Sequence, residues 1–147
     1  MTIDEKAGQL GIEFGAGAAR GYLNMAARVG NLIMTSGHVS TMKGKLGADL
    51  SVDDGYAAAK EVAVKILKSV HQEVGSLNNL RVVKLFGCVN STLEFTDQHL
   101  VINGASDLLH ELFGKEDRGF HARSAVGFAQ LPTGVAVEIE AIFEVVG

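Results

Sequence analysis

The chain is short of the residues that would brace a small fold covalently or break it up. Among 147 residues there is one cysteine and one proline. A single cysteine excludes an internal disulfide and a four-cysteine zinc site. The length makes neither necessary, because a domain of this size buries roughly 70% of the surface its unfolded chain exposes. No run of about 18 apolar residues occurs, so nothing in the sequence reads as membrane-spanning. Positive charge is also scarce: 13 Lys+Arg stand against 17 Asp+Glu, a net charge of −4. Neither a basic stripe nor a basic strip interleaved with aromatics is present, which argues against a nucleic-acid binder. The start, Met1-Thr2-Ile3-Asp4-Glu5-Lys6, lacks the basic and apolar regions of a signal peptide, and the expected location is cytoplasmic.

What is present is a globular composition, 47% apolar and 20% charged, expected to form a single domain over residues 1–147. The eighteen glycines fall mostly between periodic segments. Ser51-Val52-Asp53-Asp54 reads as a capping box opening a helix that runs to about Val74, with Gly75 ending it. Its stripe is Ala59, Ala63, Ile66, Leu67, Val70 and Val74. A second helix is expected from Thr96-Asp97 to Phe113, striped by Val101, Ala105, Leu108, Leu109 and Leu112 and closed by Gly114. Strands are expected over 31–36, 81–92, 121–130 and 135–146, the last alternating apolar residues with Glu138, Glu140 and Glu144. This order implies an α+β fold, two helices on one face of a mixed sheet. Strand 81–92 is apolar on both faces: Val83, Leu85 and Val89 on one, Val82, Phe86 and Cys88 on the other. Two helices cover only one face. The other would form an apolar patch that monomers avoid, so the pattern points to a homo-oligomer.

Several segments resemble the Rid/YjgF family, the L-PSP endoribonuclease-like proteins. They are Asn31-Leu-Ile-Met-Thr-Ser-Gly37, Val101-Ile-Asn103-Gly-Ala, Ala122-Arg123-Ser124-Ala-Val, and Leu131-Pro132 followed by Val137-Glu138-Ile139-Glu140-Ala141. They run in the family's order and span most of the chain after Tyr22, the C-terminal string being the most specific. The resemblance implies a chorismate-mutase-like fold assembled as a homotrimer. It also implies clefts between subunits that hydrolyse reactive 2-imino acids to 2-keto acids and ammonia, without a cofactor. Departures are visible: Ala125 stands where archetypal members carry Cys, and His121 where many carry Pro. The chain resembles a longer, less characterised subgroup.

Arg123 is the candidate for binding a substrate carboxylate, since a guanidinium grips one through two parallel hydrogen bonds and keeps its charge at any pH. The competing reading is a structural salt bridge to Glu138 or Glu140. Glu138 is the candidate for positioning water, which imine hydrolysis requires at the electrophilic carbon; its competing reading is a solvated surface glutamate. If Leu131 to Gly134 makes a tight turn, Gly127 lies opposite Glu138 and Arg123 shares Glu138's face, about 13 Å further along. That separation leads to the expectation that Glu138 reaches the Arg123 of a neighbouring copy. Gly37 could let the backbone approach a substrate, or be a plain turn glycine. Asn103, unfavourable mid-helix, reaches into the cleft, braces the loop carrying Arg123, or has a capping or solvent-facing role. The resemblance implies that Tyr22 closes a neighbour's cleft, and that Ala125 lies in the pocket.

The five histidines show no paired ligand spacing, so no metal is expected. His71 and His110 are expected on solvated helix faces, and His121 could tune the cleft. Cys88 reads as a buried small hydrophobe. Gly15-Ala16-Gly17-Ala18-Ala19-Arg20 begins like a dinucleotide fingerprint but has Arg in place of the third glycine. Two functions compete with deamination: a non-catalytic small-molecule binder sensing a keto acid or other carboxylate, and an endoribonuclease, against which the charge balance argues.

Overall fold

The structure, a computed structural model, describes residues 1–15 and 20–147. The fingerprint-like stretch therefore lies partly outside the described residues. Helix α1 (Ile3–Gln9) opens the chain, a feature the apolar periodicity did not signal. Its start is nonetheless written locally, because Thr2 and Glu5 form a reciprocal capping box. Strands β1 (Ala26–Val29) and β2 (Leu32–Thr35) follow as a hairpin turning at Gly30 and Asn31, where Gly30 takes a positive φ of 59°. The two-residue strand β3 (His38–Val39) continues beyond Gly37.

Helix α2 (Val52–Val74) has the expected Ser51/Asp54 capping box and ends at Gly75 in the left-handed conformation, φ 85°. Strand β4 (Leu80–Asn90) leads to α3 (Gln98–Phe113), a short π-helical segment (Gly114–Arg118) and strand β5 (Ala122–Phe128). A 3-10 turn, Pro132–Gly134, precedes β6 (Val137–Val145). The sheet order is β1-β2-β6-β4-β5, with β3 also pairing β6. The β4–β5 pair is parallel, joined through α3, and the other pairs are antiparallel, so the sheet is mixed.

Helices α2 and α3 cover one face of the sheet. Ile66, Leu67, Ile102, Leu109, Leu85, Ile139 and Phe143 are all essentially inaccessible there. Two sequence expectations change in the sheet. First, β4 carries a bulge between Val82 and Lys84, so its alternation shifts phase. Val82 then lies on the helix side with Leu85, Gly87 and Val89, while Lys84, Phe86 and Cys88 point to the open face. Second, β5 and β6 do not form a hairpin. Strand β4 lies between them and pairs with both, so the expected pairing of Gly127 with Glu138 does not occur. A strand apolar on both faces is best buried at the centre of a sheet, and β4 takes that place.

The open face carries Met34, Phe86, Ile142, Val126 and Phe128 among Lys84, Glu138 and Glu140. Met34, Val126 and Phe128 each remain about two-fifths exposed. A shallow depression of about 350 Å³ is lined there by Met34, Lys84, Phe86, Glu140 and Ile142. Among the described residues, no helix is long and apolar enough to cross a membrane.

Candidate functional site

Arg123 is the second residue of β5 and pairs with Leu85, so its side chain points to the helix side of the sheet, towards α3. Its Nη1 donates to Asn103 Oδ1 at 2.8 Å and to Ser106 Oγ at 3.2 Å. Both acceptors are neutral. The only salt bridges among the described residues are Lys65–Glu61 and Arg81–Glu144, so the expected alternative of an Arg123 bridge to Glu138 or Glu140 is not formed. Burial pulls the Arg123 pKa down and the charge on Asp107 partly offsets it; a guanidinium stays cationic through such a shift. Both hydrogen bonds come from Nη1. The Nε–H and Nη2–H edge makes none among the described residues, and that edge presents two parallel donors to a carboxylate.

The mid-helix Asn103 is explained by this contact, since its amide oxygen braces the guanidinium. Ser106 and Asp107 were not singled out by the sequence reading. The signal was available: Asn103, Ser106, Asp107 and His110 recur at three and four, a polar stripe on an otherwise apolar helix. Asp107 accepts from the Tyr56 hydroxyl at 2.7 Å, which pushes the tyrosine pKa up. His110 is half-buried, its ring 5.1 Å from that of His121. His71 likewise stacks on Phe14 at 4.0 Å. Each ring thus has one side against a segment that helical periodicity cannot foresee, and both residues stay half-exposed.

Glu138 sits on the opposite side of the sheet. It pairs with Cys88 and Val39, between the buried Val137 and Ile139. Its carboxylate lies over Gly37: a Cβ built there would fall 2.1 Å from Glu138 Oε2. Gly37 is thus no plain turn glycine, and its missing side chain is the space the carboxylate fills. Glu138 has no hydrogen-bond or ion-pair partner among the described residues. The Cys88 thiol beside it is pushed up to about 11, chiefly by burial and then by Glu138 and Glu140. It is inert as a nucleophile at neutral pH.

The sequence expectation that Arg123 and Glu138 share a face is therefore overturned. They project from opposite faces, on strands about 10 Å apart across β4 and displaced by three residues along it. The two groups do not converge within one chain. Ala125 faces the helix side and packs on the core. Tyr22 is fully exposed just before β1. The described residues contain no group of three His, Cys, Asp or Glu side chains able to hold a metal.

Comparison with known proteins agrees with this architecture. Residues 6–137 match the family described as "YjgF/chorismate mutase-like, putative endoribonuclease". The chain belongs to this family. Protein TCP17 of Trypanosoma cruzi is 50% identical over 104 residues, covering 70% of this chain and 64% of TCP17, so the chain spans just under two thirds of that relative's length. The crystal structure of Atu1372 from Agrobacterium tumefaciens, a protein of unknown function, superposes with a TM-score of 0.85 at 38% identity, covering 98% of this chain and 94% of the other. RidA from the Antarctic bacterium Psychrobacter is 30% identical, with a TM-score of 0.56 over 88% of this chain and 94% of its own.

Proposed function

We propose that the protein is a cofactor-independent imine/enamine deaminase, hydrolysing reactive 2-imino acids to 2-keto acids and ammonia in clefts between the subunits of a homotrimer. The observation that carries this reading is the Arg123 guanidinium, braced by neutral oxygens on one side and forming no salt bridge among the described residues. Such a group is prepared for an anionic ligand, and its free edge fits a carboxylate.

In this reading Arg123 holds the substrate carboxylate. Glu138 of a neighbouring copy positions water against C2 of the imine, because the two faces of one chain keep its own Glu138 away. Water adds to C2 and its proton passes by way of the Glu138 carboxylate to the nitrogen. The hydroxyl proton of the resulting carbinolamine then passes by the same carboxylate to the amino nitrogen, the C–N bond breaks with its electrons on nitrogen, and ammonia and the keto acid are left. Gly37 keeps room for the Glu138 carboxylate, Asn103 steadies Arg123, Ala125 lies alongside in place of a thiol, and Tyr22 of a neighbour covers the cleft. The open apolar face supports the homotrimer as the assembly that creates such clefts.

The test is to generate 2-iminopropionate in situ and follow pyruvate release. The protein should accelerate release, and Arg123→Ala should lose at least about 100-fold in kcat/KM, as expected for removing a charge-assisted carboxylate anchor. Pyruvate binding without acceleration would instead identify a non-catalytic carboxylate binder. Cleavage of RNA by homogeneous protein, lost in Arg123→Ala, would overturn deamination in favour of a ribonuclease.

A further inference from the structure

The guanidinium of Arg123 is not held by Asn103 alone. Ser106 is buried, and its hydroxyl lies 3.2 Å from Arg123 Nη1 and 2.9 Å from His121 Nε2. The other ring nitrogen, His121 Nδ1, lies 2.6 Å from the Gly119 carbonyl oxygen. A carbonyl only accepts, so Nδ1 carries the proton and in the neutral ring Nε2 is a bare acceptor. Ser106 must then donate its proton to His121, which turns the lone pairs of its oxygen to Arg123. The chain of bonds has one direction: Arg123 donates to Ser106, and Ser106 donates to His121.

From this geometry we infer that Ser106 and His121 are positioning residues that fix the Arg123 guanidinium with its carboxylate-binding edge outward. The inference rests on the deaminase reading only for the identity of the ligand. Without an acceptor at His121, a helical serine turns its hydroxyl back to the carbonyl four residues earlier, here that of Ile102, and Arg123 loses one of its two braces. The charged and titratable groups around His121 are His110, whose ring packs against it, and Arg123; Asp107 completes the surroundings of Arg123. Burial foremost, with His110 and Arg123, acts to keep His121 neutral and outweighs the opposing bond to Gly119; neutral is the state in which Nε2 accepts.

The direct test reads the immobilisation of the side chain in the intact protein. In ¹⁵N NMR of the Arg123 guanidinium, wild type should show separate Nη1 and Nη2 resonances, from hindered rotation. Ser106→Ala and His121→Ala should average them, and both should weaken pyruvate binding about fivefold, the loss expected for about one hydrogen bond. His121→Gln, whose amide oxygen can reach the position of Nε2, should retain the separate resonances and bind pyruvate within about twofold of wild type. Ser106→Ala suits a helix and keeps the experiment decisive if His121→Ala fails to fold. Averaged resonances in wild type, separate ones in Ser106→Ala, or equal losses in His121→Gln and His121→Ala would each overturn the inference. If wild type holds Arg123 rigidly and binds pyruvate but releases none from the imine, the deaminase reading falls and the positioning role stands.

Discussion

At the scale of single residues, the histidines separate into ones the fold has withdrawn from water and ones it has not. His38 is buried, its Nδ1 at 2.8 Å from the Ser36 carbonyl and its Nε2 at 2.7 Å from Ser69 Oγ. Burial lowers its pKa from 6.5, outweighing the opposing Ser36 contact, and His121 is lowered for the same leading reason. The consequence for stability has a definite sign. Below pH 6.5 the unfolded chain takes up protons at these residues before the folded chain does, so stability falls with pH from that point downward. Well above pH 6.5 both states are neutral there and nothing is lost. Urea midpoints should be level between pH 7 and 8 and decline from about pH 6.5. His38→Gln should make that decline shallower, and an unchanged slope would remove His38 from the account.

At the scale of elements, the crossing of α2 and α3 depends on a missing side chain. A Cβ on Gly104 would lie 2.0 Å from the Tyr56 carbonyl oxygen, a backbone atom that cannot swing aside. Gly104→Ala should therefore cost about 3 kcal/mol or more by pushing the helices apart, despite alanine's better helix propensity. Gly8→Ala, in α1 with nothing near its Cβ, should be neutral or slightly stabilising. Parallel urea titrations check both, and equal effects would show that propensity, not the crossing, decides. Both long helices were legible in the sequence, because their caps and stripes are local. Helix α1 was not, since seven residues with one buried side chain, Ala7, leave almost no periodic trace.

At the scale of the whole molecule, the open sheet face is the feature that the single chain leaves unfinished. Phe86 lies on it, between Glu140 and Ser124 on the neighbouring strands. The expected species in solution is a trimer, seen by light scattering as three times the chain mass. Phe86→Lys, able to pair with Glu140 across the strands, should yield a monomer with an unchanged circular dichroism spectrum and no deaminase activity. A wild-type monomer at micromolar concentration would refute the shared cleft. The alternation of β6 and the two-faced apolarity of β4 were visible beforehand, but the phase of β4 was not. One extra residue at the bulge exchanges the faces, and a composition pattern carries no mark of it.

The sequence alone determined the two long helices, the limits of α2 at Ser51 and Gly75, the α+β class and the choice of Arg123 and Glu138 as residues to test. These depend on periodicity and capping, which act over a few residues. Only the tertiary structure decided that β4 separates β5 from β6, that Arg123 and Glu138 project from opposite faces, and that Ser106 and His121 stand behind the guanidinium. The order of strands in a sheet is a choice among long-range pairings, settled by which strand gains most from burial on both faces. No local segment of the chain contains that comparison.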